Sequence, residues 1–577
     1  MNTIRIRSLV LAGITALLAC PLLVGCTSPQ EQQTYISITD PPVTETGVQP
    51  TAATAPATKA AVRETEQPTT EAETSPPLPV LSITTKRQDK HALDFAEKPV
   101  VPYIADEAAT KLFDLRNPPA PYYETCFVTL TDTEGNVLPE QAAADIRVRG
   151  NWTTYYDKKP LHIKFTEKQP MLGLNGGTSM KNWVLLAEYK DPSYLRNKTA
   201  LAVSRELLAP HGFYAADAQL VEVEINDTYW GVYLLTEQQE VNKHRIALAK
   251  PDPEEPSVRT GYLLEYDGYA GHEDELHRFT VTYADNAPLT PYDGNGGSNT
   301  VVYPLRKGWY DTKKNVGFSI KSDILTQAQH DFIASYTDNV YRILYAAAYE
   351  KQAYRFNEEL TAVEKADITP QAAVEAVIDV QSLADMYVLS ELLCDADLNW
   401  SSFFMDVDLS AEGSGKLRFE APWDFDSAMG LKDRCADGKG FYAANAVPDL
   451  DNENFTINPW LAVLAYEDWF QERVRDTWSR AYDDGVFDRV IASIGEDTEH
   501  CADAFARDAK RWEKKSNPLL KDESDGVTQQ EAAEQLASWL RTRVDFLNGY
   551  WYQVPQETTE PAAEDASEEP SETAETA

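Results

Sequence analysis

The chain has 577 residues, with 92 acidic against 52 basic side chains and a formal net charge of −40. That imbalance excludes a nucleic-acid partner, because phosphate backbones need a basic stripe and none is visible, and it argues against docking on anionic lipid heads. It suits a soluble exported surface and would favour basic substrates.

Residues 1–25 read as an export signal, in which Arg5 and Arg7 precede an apolar run from Leu9 to Val24. The run ends Leu23-Val24-Gly25-Cys26, which resembles a bacterial lipobox, where the cysteine becomes the lipidated first residue of the mature protein. A plain secretory signal or an anchor helix is the alternative. No later stretch approaches the ~20 apolar residues that span a bilayer, so the lipid on Cys26 is the expected membrane contact. Residues 26–80, rich in Thr, Pro, Ala, Gln and Glu, and the acidic tail 554–577 cannot bury enough apolar surface to offset their chain entropy. Both are expected to be disordered.

The body between them divides into a lead-in (81–120), a small lobe (121–265), a surface insertion (266–310) and a helical large lobe (311–553). Cys126–Leu130 and Ile146–Arg149 alternate as strands. Arg149-Gly150-Asn151-Trp152-Thr153 leads into a basic strand, Lys158–Phe165, where Lys158 reads as solvated. Trp183–Ala187 is a buried run. Asp191-Pro192 then opens a helix to about Leu208, with Asp191 as N-cap and Pro192 in the first helical position. Val221–Ile225 turns at Asn226-Asp227 and returns as Tyr229–Leu235, a hairpin by pattern. Tyr262–Glu265 is one further strand, and Gly268–Pro304 is rich in turn-forming residues. Helical apolar spacing then dominates, over Gln327–Glu350, Gln371–Asp379, Leu383–Leu393, Trp460–Tyr466, Phe470–Tyr482 and Ala532–Trp551.

Two stretches carry the chemistry. Asp395-Ala396-Asp397-Leu398-Asn399-Trp400-Ser401-Ser402 follows an apolar helix, and Pro422-Trp423-Asp424-Phe425-Asp426 follows a short strand reached through a Gly413-Ser414-Gly415 turn. A carboxylate after a helix and a carboxylate pair after the next hairpin are how a two-lobed kinase places its base and its metal ligand. Asp397 would orient the acceptor hydroxyl. Ser402 follows it at the spacing that separates the catalytic Asp from the metal-binding Asn in protein kinases. Asp424 would hold Mg²⁺, with Asp426 as second ligand or support, since hard oxygen donors suit that ion. Lys159 or Lys164 would reach the phosphates, and the backbone around Gly150 would approach them closely. Glu237 and Gln238 would either hydrogen-bond a nucleobase or simply end a strand. Trp423 reads as a packing anchor. Paired carboxylates in a Trp-rich exported chain also fit a glycoside hydrolase.

His272 and His277 have the wrong spacing for a zinc motif on one helical face. Cys126, Cys394, Cys435 and Cys501 remain once Cys20 and Cys26 are set aside; a Cys394–Cys435 bridge and four free thiols both fit.

Arg149-Gly150-Asn151, Lys158-Lys159, Trp183-Val184-Leu185-Leu186, Leu195-Arg196-Asn197-Lys198, Tyr229–Gln238, Asp397 and Pro422–Asp426 occur in this order, and together they resemble the spore coat protein H (CotH) kinase family over roughly residues 120–550. The resemblance implies an atypical protein-kinase-like fold of two lobes, α+β in class. It implies ATP and Mg²⁺ as cofactors and transfer of phosphate to serine (or Thr) on exported or cell-surface proteins. Asp397 matches the family's catalytic-loop aspartate and Asp424 its metal-binding aspartate; Arg149, Gly150, Lys159, Lys164, Glu237 and Gln238 fall on the nucleotide side, and Asp426 and Ser402 on the metal side. Ser402 departs from the Asn often found there, and its single neutral oxygen would hold a second metal more weakly. A pseudokinase or adhesion module on the same fold is therefore the second reading.

Overall fold

Alternation along the first strands sets up a cylinder whose inside is apolar. The computed structural model describes residues 77–98, 122–294, 300–305, 316–431, 435–448, 455–513 and 527–554. The export signal, Cys26, nearly all of the 26–80 tether, much of the lead-in and the acidic tail lie outside them.

Seven strands close into a barrel in the order β1-β2-β3-β4-β5-β7-β6. They are β1 Val80–Thr85, β2 Glu124–Thr131, β3 Ala142–Val148, β4 Leu161–Gln169, β5 Met180–Leu186, β6 Ala218–Ile225 and β7 Thr228–Glu237. β1 closes the ring by pairing antiparallel with β2 and parallel with β6 (Val80 opposite Glu222). The stretch assigned from sequence to a lead-in therefore contains a barrel strand. Leu81, Ile83, Cys126, Ile146, Ile163, Trp183, Tyr233 and Leu235 fill the interior. The β6–β7 hairpin turns on Asn226 (φ 51°) and Asp227 (φ 58°), the left-handed pair that a two-residue hairpin requires. Both faces of β7 are covered: Tyr233 and Leu235 point into the barrel, while Val232 and Leu234 join the larger core outside it. This is why Tyr229–Leu235 reads as a continuous apolar run rather than an alternation.

Between β5 and β6 lies α1, Arg196–Leu208. It begins four residues later than Asp191-Pro192 suggests, because Tyr194 (φ 62°) breaks the helical path. Asp191 still caps it from a distance, its Oδ2 accepting from Leu195 N (3.0 Å) and Arg196 N (2.8 Å). A second sheet has the order β14-β13-β8-β10-β9, made of β8 Gly261–Asp267, β9 Arg278–Phe279, β10 Gly317–Ile320, β13 Phe403–Asp408 and β14 Arg418–Phe419. β11 Tyr354–Phe356 and β12 Val363–Lys365 form a separate small hairpin. The segment expected to be a surface insertion supplies β9 and buries Phe279, Tyr283, Leu289 and Val302 in the main core, so its aromatic and aliphatic anchors outweigh its turn-rich composition.

Helices build the rest: α2 Gln327–Tyr345, α3 Pro370–Val377, α4 Val380–Leu393, α5 Asp468–Asp483, α6 Val486–His500, α7 Ala502–Arg511 and α8 Gln529–Trp551. Thr326 with Gln329, and Thr528 with Glu531, form capping boxes that fix where α2 and α8 begin. Helices and strands are thus both present, with strands dominating the first half and helices the second. α7 docks on the barrel through Lys158, which is fully buried rather than solvated: its ammonium pairs with Asp508 Oδ1 (2.7 Å) and lies 4.7 Å from the centre of the Tyr233 ring. Asp508 also accepts from Val232 N (2.7 Å) and Tyr194 Oη (2.8 Å).

Candidate active site

Helix α4 is buried on every side, and it stops because Cys394 turns left-handed (φ 47°, ψ 52°). The loop that follows is held by its own backbone. Asp395 Oδ1 accepts from Asp397 N (3.0 Å), and Asp397 O accepts from Trp400 N (2.7 Å) and Ser401 N (2.9 Å). Asn458 Nδ2 donates to Leu398 O (2.9 Å), and Gly268 N donates to Trp400 O (2.5 Å), so the large core grips the loop from two sides. Asp395 is buried and Asp397 half-buried.

The second loop leaves β14 and reaches Asp424 in a left-handed conformation (φ 69°). Helix α1 holds it in place. Asn197 Oδ1 accepts from Phe425 N (2.8 Å), while Asn197 Nδ2 donates to both oxygens of Glu188 (3.1 and 3.2 Å). Arg196 Nε donates to Ala428 O (3.0 Å) and its guanidinium is ion-paired with Asp191. Met429 N donates to Leu393 O (2.7 Å), which ties this loop to the end of α4. The Arg196-Asn197 dipeptide is therefore the clamp on the Asp424–Asp426 loop.

The two loops bring Asp395, Asp397, Asp424 and Asp426 within electrostatic range of one another. Burial, then Asp426 and Asp397, push Asp424 up to about 8, although Arg149 and Lys190 oppose the rise. Burial and then Asp397 raise Asp395 well above the carboxylate range. Glu188 is raised by burial, then by Asp191 and Asp426. Such a cluster is short of positive charge; Arg149 and Lys190 both act on Asp424, and Lys190 also reaches Asp426. Its Nζ lies 3.4 Å from Asp426 Oδ1 and donates to Ser427 Oγ. Burial alone would lower Lys190, but Asp426, Tyr156, Asp397 and Asp424 together raise it.

The other residues singled out from sequence occupy different places. Arg149 faces Asp424 and Glu265 and stacks 5.2 Å from the Trp423 ring, which is buried as a packing anchor. Gly150 has φ 92°, and a Cβ there would overlap Thr153 Oγ1. Lys159 is buried and donates to Tyr156 O (2.5 Å); burial lowers it to about 8. Lys164 is exposed on β4. Glu237 is buried in an ion pair with Arg245 Nε (2.9 Å) and accepts from Asn175 Nδ2 (2.8 Å). Gln238 Nε2 donates to the neighbouring Gln239 O (3.3 Å). Ser402 (φ 61°) donates its amide to Glu265 Oε1 (3.1 Å), and its hydroxyl lies 3.4 Å from that of Ser401. Lys190 escapes a sequence reading because it follows β5 in no motif, and Glu265 because one carboxylate on a strand has no signature.

A sequence model of the family described as CotH kinase protein matches residues 146–547, more than half of the chain and inclusive of both loops. The chain belongs to the CotH kinase protein family. It is also similar to the inner spore coat protein H of Bacillus subtilis (strain 168), at 34% identity over 106 residues. That similarity covers 18% of this chain and 26% of the Bacillus protein, about a quarter of that relative's length. Among the described residues no helix is long and apolar enough to cross a membrane.

The candidate metal donors are hard oxygens, the carboxylates of Asp424 and Asp426 and the hydroxyl of Ser402. Among the described residues no group of three His, Cys, Asp or Glu side chains has a geometry that would enclose a cation. Two aspartates on one clamped loop, with excess negative charge around them, still fit Mg²⁺, which commonly takes one or two carboxylates and completes its shell with water and phosphate oxygens.

Proposed function

We propose that this protein is an extracytoplasmic kinase that transfers the γ-phosphoryl group of ATP to a serine (or threonine) of an exported or cell-surface protein. The observation that carries the reading is the convergence of Asp397 with Asp424 and Asp426 around Lys190, on the loop after α4 and on a second loop tied to the end of α4 by the Met429 N–Leu393 O hydrogen bond. In this reading the barrel with α1 is the small lobe of a two-lobed kinase-like fold, and the second sheet with α2–α8 is the large one. Asp424 and Asp426 hold Mg²⁺, which when bound neutralises phosphate charge. Lys190, rather than Lys159 or Lys164, contacts the phosphates, with Arg149 beside it. Asp397 orients the acceptor hydroxyl, whose oxygen forms a bond to the γ-phosphorus as the β–γ bridging bond breaks; the hydroxyl proton leaves toward Asp397. The acidic surface favours basic substrate segments. A lipid on Cys26 holds the protein at the membrane.

Incubation of the protein with labelled ATP, Mg²⁺ and a basic serine-containing peptide is expected to give phosphate transfer. Asp397→Asn and Asp424→Ala reduce it at least about 100-fold, and Lys190→Met raises the nucleotide KM. Transfer that survives both aspartate changes rejects these roles.

A second reading, a pseudokinase that binds a surface partner through the same fold, is favoured by Ser402. Its hydroxyl lies beside Ser401 and its amide on Glu265, and the position five residues after Asp397 lacks the amide oxygen of an asparagine. Calorimetry separates the readings: folded protein without Mg²⁺–nucleotide binding supports the second.

A further inference from the structure

Two thiols flank the aspartate loops and interact with each other. Cys394 ends α4 in its left-handed turn, one residue before Asp395. Cys435 follows the Asp424–Asp426 loop, also at positive φ (51°). Their side chains hydrogen-bond each other. Cys394 Sγ in addition lies 3.4 Å from Glu391 O.

Helix α8 holds the backbones on both sides of this contact. Arg543 donates from Nε (2.9 Å) and Nη2 (2.7 Å) to Glu391 O, and from Nη1 to Gly440 O (2.5 Å). Its guanidinium is also ion-paired with Glu391 Oε1 (2.5 Å), and both side chains are fully buried. Trp539 Nε1 donates to Cys435 O (2.8 Å). Both cysteines are free thiols in this structure, and the frame from Arg543 and Trp539 that brings their segments together does not depend on them. Cys126 sits inside the barrel and Cys501 in the main helical core, both buried and free.

We propose that Cys394 and Cys435 form a disulfide-forming pair that a small-molecule disulfide oxidises by thiol–disulfide exchange. Cys435 is half-buried, and the hydrogen bond from Cys394, then Arg543, hold it below the usual thiol range against the opposing effect of burial. It is the attacking sulfur. The Cys435 thiolate forms a bond to one sulfur of the oxidant and expels the other as a thiol. Cys394, after losing its proton, attacks Cys435 Sγ and expels the second thiol. The pair loses two electrons and two protons, and one oxidant disulfide becomes two thiols. The bond would tie the turn that presents Asp395 and Asp397 to the segment that follows Asp426. Its effect on catalysis rests on the phosphotransfer reading; the bond itself does not.

The full chain is incubated with cystine or with dithiothreitol, free thiols are alkylated under denaturing conditions, and peptides are mapped by mass. Cystine is expected to join the Cys394 and Cys435 peptides with loss of two hydrogens, reversibly, while Cys126 and Cys501 remain alkylated. Cys435→Ser prevents the link. No link in the wild-type protein, or a link to Cys126 or Cys501, overturns the proposal. Calorimetry with Mg²⁺–ATP on the two forms is expected to show affinities that differ about fivefold or more. Equal affinities overturn the coupling to the site. Absence of binding in both forms counts against the phosphotransfer reading instead, because the bond is mapped without nucleotide.

Discussion

Burial, and then the carboxylates of Asp426 and Asp397, push Asp424 from an ordinary 3.8 up to about 8. Between these values the folded protein holds one proton more than the unfolded chain at this position, so this residue's contribution to stability falls as pH rises through the window. Asp424→Asn removes the contribution, and asparagine tolerates the left-handed backbone there. In the presence of a chelator, the melting temperature of the variant is expected to exceed that of the wild type by a margin that widens from about pH 4 to pH 8. Mg²⁺ with nucleotide should raise the wild-type value and leave the variant unmoved. A margin independent of pH would show that Asp424 ionises freely. The residue pattern Trp-Asp-Phe-Asp made this position visible in the sequence. Lys190 was not visible, because its role comes from which carboxylates the fold places around it.

Helix α1 does more for the site than its sequence suggests. Asn197 joins Glu188 to the backbone of Phe425, so Asn197→Ala strands a buried amide and a buried carboxylate at once. Its expected cost is about 1–3 kcal/mol, read as a lowered denaturant midpoint, with a loss of phosphotransfer that persists at temperatures where the variant is fully folded. Lys198→Ala, one position on, removes only a half-exposed pair with Asp497 and should cost under about 1 kcal/mol. Equal effects of the two changes would mean that Asn197 is no clamp. At this scale the sequence is most readable where periodicity is long or a turn is chemically marked. The β6–β7 hairpin, α5 and α8 emerge close to their expected limits. The start of α1 does not, since nothing local announces the left-handed Tyr194. β14, expected as a short strand after the Gly413-Ser414-Gly415 turn, pairs over only two residues because its neighbour Leu417 serves a bridge to Ile378.

At the scale of the molecule, a buried charge pair is among the contacts that join the barrel to the helices. Lys158 and Asp508 are almost wholly shielded from water, and Asp508 also satisfies Val232 N and Tyr194 Oη. Asp508→Ala leaves an ammonium buried without its counter-ion and is expected to cost about 3–5 kcal/mol. Changing both, Lys158→Met with Asp508→Leu, should recover only part of that loss, as followed by denaturant unfolding, because Val232 N and Tyr194 Oη stay without their acceptor. A single variant within about 1 kcal/mol of wild type would show that water reaches the pair. No sequence pattern could have revealed the pairing, because its partners are separated by most of the chain and a lysine in a basic strand looks solvated. The closure of the barrel has a practical corollary of its own. The family match begins at residue 146, inside β3, yet β1 and β2 lie upstream of it and β1 alone bridges β2 to β6. A protein trimmed to the matched span would expose bare strand edges where the missing staves belong, a geometry that invites aggregation. A piece expected to fold alone therefore includes β1, which makes it longer than the stretch by which the family is recognised.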